Sequence, residues 1–154
     1  MGVIYVAVIG ALSNVFAIFI NRDKLDETKH PFKSHKWERN GKVYDKLAIR
    51  KWKGKVPDAS KCLPFLRPKK VETGTTSSDI RALIKETCVA EIVHIALIIL
   101  SIGVLFICPG KLGAILYIFC FIGNLPFIMI QRYNRPQYLL AEERLIRREA
   151  RLSK

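Results

Sequence analysis

Three stretches of this chain carry no charged side chain: Met1–Ile20, Ile92–Cys108 and Leu112–Gln131. Polar blocks lie between and after them, Asn21–Glu86 and Arg132–Lys154. A helix needs about 20 apolar residues to cross a hydrocarbon core. The blocks therefore predict an all-α membrane protein with three spans, about 2–20, 88–108 and 112–131. With so much of the chain in lipid, residues 1–154 are expected to form a single membrane domain. The first span lacks a basic start and a small-x-small cleavage site, and "MGVIYV" lacks the Ser or Thr of a myristoylation signal. An uncleaved anchor is expected.

Finer patterns predict the remaining elements. Asn14 is the lone amide of the first span and is expected to bond another helix. Ser77 or Ser78 is suited to cap a helix whose positive end Asp79 favours, running from Asp79 to Phe106. That length, roughly 42 Å at 1.5 Å per residue, exceeds the hydrocarbon core. "CPGK" then turns the chain, and Pro126 is expected to kink the third span. Leu139, Leu145, Ile146 and Leu152, set among Arg and Glu, predict an amphipathic helix lying on the membrane over Tyr138–Leu152, the alternative being a solvated basic tail. In the middle block, Trp37, Tyr44 and Trp52 interleave with Lys and Arg, which suits a re-entrant or surface layer at head-group level. "RNGK" at Arg39–Lys42 predicts a tight turn, and "VPDASK" another, with Asp58 as a cap. Residues 69–78 have the composition of an exposed loop.

Charge adds a topology. The chain carries a net +13, yet Asn21–Glu86 holds 18 Lys/Arg against 9 Asp/Glu, Arg132–Lys154 holds 7 against 3, and the "CPGK" turn holds only Lys111. Cytoplasmic flanks accumulate Lys and Arg. The amino terminus is thus expected outside, with the middle segment 21–86 and the tail 132–154 inside. Basic residues beside spans answer to anionic lipid, and no nucleic-acid recognition motif accompanies them. Cys62, Cys88, Cys108 and Cys120 show no CxxC or His/Cys metal spacing and read as small hydrophobes; no metal is expected.

Candidate chemistry concentrates in two places. Glu91 and His94 lie three apart on one helix face, with Thr87 a turn before Glu91. Ionisable groups at membrane depth are expensive and face a cavity or a partner. A carboxylate beside an imidazole can orient it and stabilise its charged form, leaving the other nitrogen to accept a hydroxyl proton. Asn124 and Gln131 lie seven apart on one face of the third span, which suits either a ligand held at the Pro126 kink or, for Asn124, a bond to a neighbouring helix. Arg132 and Arg135 suit bidentate contact with phosphate or carboxylate, or anchoring at lipid head groups, with Tyr133 and Asn134 between them and Lys51, Trp52 and Lys53 as further binding candidates. No glycine-rich phosphate loop or serine elbow is present.

"ETCVAEIVH" at Glu86–His94 and "GNLPFIMIQRYNRPQ" at Gly123–Gln137 resemble the small membrane family of glycosyl-4,4'-diaponeurosporenoate acyltransferases. "NGKVYDKLAIRKWKGKVPDASK" at Asn40–Lys61 resembles the same family, and the likeness runs from about Phe32 to Pro136. One departure is Ile95, where the family has Trp after the histidine. The resemblance implies transfer of a fatty acyl group to a hydroxyl of a lipid-linked sugar at a bacterial cytoplasmic membrane. His94 would be the general base, oriented by Glu91, and Asn124 and Gln131 would bond the thioester carbonyl or the sugar. No tightly bound cofactor is expected. The co-substrate would be acyl-CoA or another acyl donor, its phosphates held by Arg132 and Arg135 with Lys51 or Lys53. Expected partners are membrane lipids and an amphiphilic lipid substrate, with a second copy or a partner membrane enzyme alongside. The competing readings are a small membrane methyltransferase and a non-catalytic lipid-binding or accessory subunit.

The topology is open to test. A cysteine placed at Gly110 should react with an impermeant reagent from outside, and one at Ser60 only from inside. Labelling of both from one side contradicts three spans.

Overall fold

The structure, a computed structural model, describes residues 1–56 and 75–152. The expected cap at Asp58, Cys62 and loop residues 69–74 lie outside the described residues. Helix α1 spans Gly2–Phe19, α2 Ile49–Trp52, α3 Ser77–Ser101, α4 Val104–Ile107 and α5 Lys111–Leu152. Short 3-10 turns occupy Arg22–Lys24, Lys36–Glu38, Lys42–Leu47 and Lys53–Lys55. Three of the helical stretches are long and apolar enough to cross a membrane: Gly2–Phe19, Ser77–Ile107 and Lys111–Leu152. The chain divides into two compact units, Met1–Lys24 with Val89–Gln131, and Leu25–Cys88 with Arg132–Lys154.

The first unit is almost wholly apolar and leaves large apolar side chains on its surface, among them Val3, Leu12, Phe19, Ile99 and Phe119. Such a surface suits lipid as its solvent, not water. Two of its polar groups on α1 are satisfied locally. Ser13 Oγ donates to the carbonyl of Ile9 (2.8 Å) and Asn14 Nδ2 to that of Gly10 (2.9 Å). Asn14 therefore bonds its own helix, where a second helix had been expected. One turn back is the nearest acceptor a span can offer an exposed amide. The helix ends where Arg22 donates to the carbonyls of Ala17 (3.0 Å), Ile18 (3.1 Å) and Ile20 (2.8 Å), placing a cation on the negative end of α1.

The expected single helix over Asp79–Phe106 is broken at Ile102–Gly103. Tyr5 of α1 lies at the break. Its hydroxyl donates to the carbonyl of Leu100 (2.8 Å), which also accepts the N–H of Gly103 (3.0 Å). A Cβ at position 103 would overlap the tyrosine hydroxyl, so only glycine admits the ring there.

In the second unit the start of α3 is capped by Thr76, not by Ser77 or Ser78. Thr76 N and Oγ1 both donate to Asp79 Oδ2 (3.1 and 2.7 Å), and Asp79 N donates back to Thr76 Oγ1 (3.3 Å), a reciprocal capping box. Ser77 instead turns its N–H and hydroxyl to Glu149 of α5 (3.0 and 2.6 Å). The tail expected on the membrane surface is the last part of α5 and packs on α3. Leu139 and Leu145 join Tyr138 and Ala141 against the buried Ile80, Leu83 and Ile84. Burial against a protein partner removes more apolar surface than lying on a head-group layer. Pro126 and Pro136 both lie inside α5 without ending it. Each removes one backbone donor. At Pro136 the carbonyl so deprived is that of Arg132, and the Arg39–Lys42 turn lies against α5 there.

That turn, expected from "RNGK", has Arg39, Asn40 and Gly41 all at positive φ (49°, 55° and 86°). A Cβ on Gly41 would stand 3.1 Å from the Tyr133 carbonyl oxygen and 3.6 Å from that of Arg132. Gly41→Ala should therefore destabilise the protein by about 1–3 kcal/mol, from left-handed strain plus a backbone clash. Gly54→Ala, where an added Cβ meets nothing within 4 Å, should be neutral. Thermal unfolding of both variants in detergent checks this; equal effects contradict it.

Candidate active site

In the first unit, α3 and α5 run antiparallel. Near the turn a Cβ on Gly113 would overlap the carbonyl oxygen of Cys108, and farther along His94 meets Asn124 and Phe127. His94 Nδ1 lies 2.8 Å from Asn124 Oδ1. The imidazole also stacks on Phe127, ring centres 4.4 Å apart and planes 15° from parallel. The amide of Asn124 has no freedom to flip, because its Nδ2 donates to the carbonyl of Cys120 (2.7 Å), which can only accept. Oδ1 must therefore accept, and Nδ1 of His94 must carry the proton. Nε2 is then the ring's acceptor nitrogen, the arrangement a general base requires.

Two expected residues, His94 and Asn124, are thus brought together. Asn124, expected against a substrate carbonyl or sugar, holds the imidazole. Glu91 is buried a turn earlier on α3, and Nδ1 of His94 is bonded to Asn124. Gln131 is buried at 4% exposure, and its Oε1 has no hydrogen-bond partner among the described residues. Phe127 was not singled out from sequence. Its signal was available, three residues after Asn124 on one helix face.

The "QRYNRP" polar block beyond Gln131 belongs to the second unit, where it ties the Leu25–Val56 segment to α5 and α3. Arg132 grips both oxygens of Glu38, Nε to Oε1 at 2.5 Å and Nη2 to Oε2 at 2.7 Å. It also donates to the carbonyls of Pro31 and Lys33, both at 3.1 Å. Glu38 further accepts from Tyr44 Oη (2.6 Å) and from the His35 N–H (2.6 Å). Arg135 is buried and donates to Thr87 Oγ1 (2.8 Å), Thr87 O (3.0 Å) and Phe32 O (2.7 Å). Tyr133 Oη accepts from Arg50 Nε (2.8 Å), and Asn134 Oδ1 accepts from Lys53 Nζ (2.8 Å), which also lies over the Tyr133 ring at 4.6 Å. Trp52 donates to the carbonyl of Leu47 (2.9 Å), and Lys51 is exposed. The donors expected to grip phosphate are thus aimed largely at protein acceptors.

Sequence reasoning missed the acidic members of this network. Glu38 is buried, and Glu27 is buried between Arg81 (2.5 Å) and Lys85 (2.7 Å). Burial opposes ionisation of Glu38, but the donations from Arg132, Tyr44 and His35 outweigh it and hold its carboxyl down at about 2. Burial likewise opposes ionisation of Glu27, and Lys85 and Arg81 override it to lower its pKa. Burial, then the bond to Glu38, pushes the Tyr44 hydroxyl up. Burial lowers Lys53, and Arg50 adds to the shift. Glu38 was detectable as a rare carboxylate in a segment crowded with cations.

A depressed carboxyl stabilises the fold in full above its ordinary value of 4.5, and that contribution fades as pH falls toward about 2. The stability difference between wild type and Glu38→Gln should therefore shrink as pH falls from 4.5 to 2. Arg132→Met, which strands the buried carboxylate, should cost about 3–5 kcal/mol at neutral pH. A wild-type advantage that does not change with pH contradicts the assignment.

Comparison with known proteins converges on one family. Residues 28–144 match the family model described as glycosyl-4,4'-diaponeurosporenoate acyltransferase. Proteins of that name from two Staphylococcus aureus strains, bovine RF122 / ET3-1 and MRSA252, are each 33% identical over 121 residues, covering 75% of this chain and 70% of theirs. The protein of that name from strain USA300 is 32% identical over 111 residues, covering 69% and 64%. No solved structure matches. The chain belongs to the glycosyl-4,4'-diaponeurosporenoate acyltransferase family.

Proposed function

We propose that this protein moves a fatty acyl group from an activated donor to a hydroxyl of a lipid-linked sugar, with a glycosyl carotenoid as the model acceptor. The observation that carries the proposal is the bond from His94 Nδ1 to Asn124, which makes Nε2 the acceptor nitrogen of the neutral ring. Nε2 takes the hydroxyl proton as the sugar oxygen adds to the acyl carbonyl carbon. The bond from that carbon to the donor's sulfur then breaks, and the leaving thiolate recovers the proton from the imidazolium. Asn124 keeps the ring in register throughout, and buried Glu91 favours the transient positive charge.

Both substrates are amphiphiles, so the bilayer brings their polar ends to one depth. Holding them there removes much of the entropic barrier, and a positioned base supplies about 10²–10⁴ in rate. The proposal keeps the amino terminus outside and the carboxyl end inside, so that donor arrives from the cytoplasm. With acyl-CoA as donor, its phosphates require cations, and Lys51 and Lys53 are the first to test. Arg132 and Arg135 then serve mainly to organise the backbone around them.

The test uses the purified full chain in lipid nanodiscs with acyl-CoA and an alkyl glucoside. His94→Gln should reduce turnover at least about 100-fold while leaving the amount of folded protein unchanged. Asn124→Leu should lower kcat about tenfold or more with little change in either KM, since it removes the ring's orienter and no substrate contact. Wild-type turnover by His94→Gln removes the base and with it the proposal; a non-catalytic accessory subunit would then be the better reading.

A further inference from the structure

Gln131 is the feature of the first unit that the base alone does not explain. It is more than nine-tenths buried, and its Oε1 accepts no hydrogen bond among the described residues. A buried acceptor without a donor is destabilising unless something else supplies the donor. Its position says what that something meets. Gln131 follows Asn124 by seven residues and Phe127 by four, so all three lie along one face of α5. Phe127 carries the stacked His94 ring. Gln131 therefore sits one helical turn, about 5–6 Å along the axis, from the residue under the catalytic imidazole. Extending the antiparallel register by that turn sets it level with Glu91 on α3.

We infer that Gln131 Oε1 is the acceptor for a second hydroxyl of the sugar whose first hydroxyl is deprotonated by His94, so that the enzyme selects polyhydroxylated acceptors. The inference rests on the acyl-transfer reading and narrows it. An orphaned carbonyl oxygen cannot bond an acyl carbonyl, which has no proton to give. It can bond a sugar hydroxyl. The spacing of one helical turn is comparable with the width of one sugar ring, so a single ring spans both groups. A simple fatty alcohol offers one hydroxyl and leaves Oε1 unpaired. Sites built around a substrate hydroxyl reject analogues lacking it strongly, because their own polar group is then stranded.

The experiment uses hexyl β-glucoside, below its micelle concentration, and its four monodeoxy analogues, with the full chain in nanodiscs. Wild type should bind one monodeoxy analogue at least tenfold more weakly than the parent. Gln131→Met should erase that discrimination and raise the glucoside KM at least tenfold with the donor KM unchanged. The ligand-free variant should be as stable as wild type or more so, because an unpaired buried acceptor has been replaced by an apolar group of similar size. Binding measured as a thermal shift in the His94→Gln background separates the inference from the reaction. Loss of deoxy discrimination there upholds the role of Gln131 even where no acyl transfer is seen. Equal binding of all four analogues by wild type overturns it, as does a Gln131→Met protein that is less stable with acceptor binding intact. The wild-type series decides the matter even if the variant does not fold.

Discussion

A polar side chain in hydrocarbon has no water to turn to, and that shortage governs the first unit. Ser13 and Asn14 bond carbonyls of their own helix. Tyr5 reaches Leu100. Asn124 spends its amide nitrogen on Cys120, and its oxygen is left with one possible role toward His94. In water either end of that amide could find a partner and the imidazole could exchange tautomers. In this setting, one carbonyl decides the amide, and the amide decides which ring nitrogen holds the proton. Gln131 Oε1, without a partner among the described residues, stands out against that economy.

A second scarcity shapes the other unit. The chain has 26 basic and 13 acidic residues, so a buried carboxylate there collects several donors at once. Glu38 takes Arg132, Tyr44 and the His35 N–H, and Glu27 takes Arg81 and Lys85. Their attraction offsets desolvation only because nearly every lone pair is used. The short 3-10 turns between Arg22 and Lys55 have little regular hydrogen bonding of their own, and these ionic clusters give the segment its fixed shape.

The three spans were legible because charge-free blocks of the right length are a one-dimensional signal, and His94 with Asn124 stood out as costly groups in such blocks. The pairing between them was not legible, since 30 residues separate them and either could have faced a substrate. Glu38 was missed for the same reason at greater range, its partner Arg132 lying 94 residues away. Thr76 displaced the serines as cap because Asp79 could return its bond. Pro126 was read as a kink and not as an end, and α5 continues through it and through Pro136. The amphipathic tail was recognised and its partner was not: a pattern of Leu among Arg says that a face is buried, not whether lipid or α3 buries it.

The account turns on which nitrogen of His94 carries the proton. Nitrogen-15 solid-state NMR on ring-labelled protein in bilayers reads this directly, with the signals of His30 and His35 identified from a His94→Gln sample. A protonated Nδ1 coupled to Asn124, with a bare Nε2, is the predicted result. A proton on Nε2 with Nδ1 bare would contradict it, because the nitrogen offered to the hydroxyl would then be a donor and not a base.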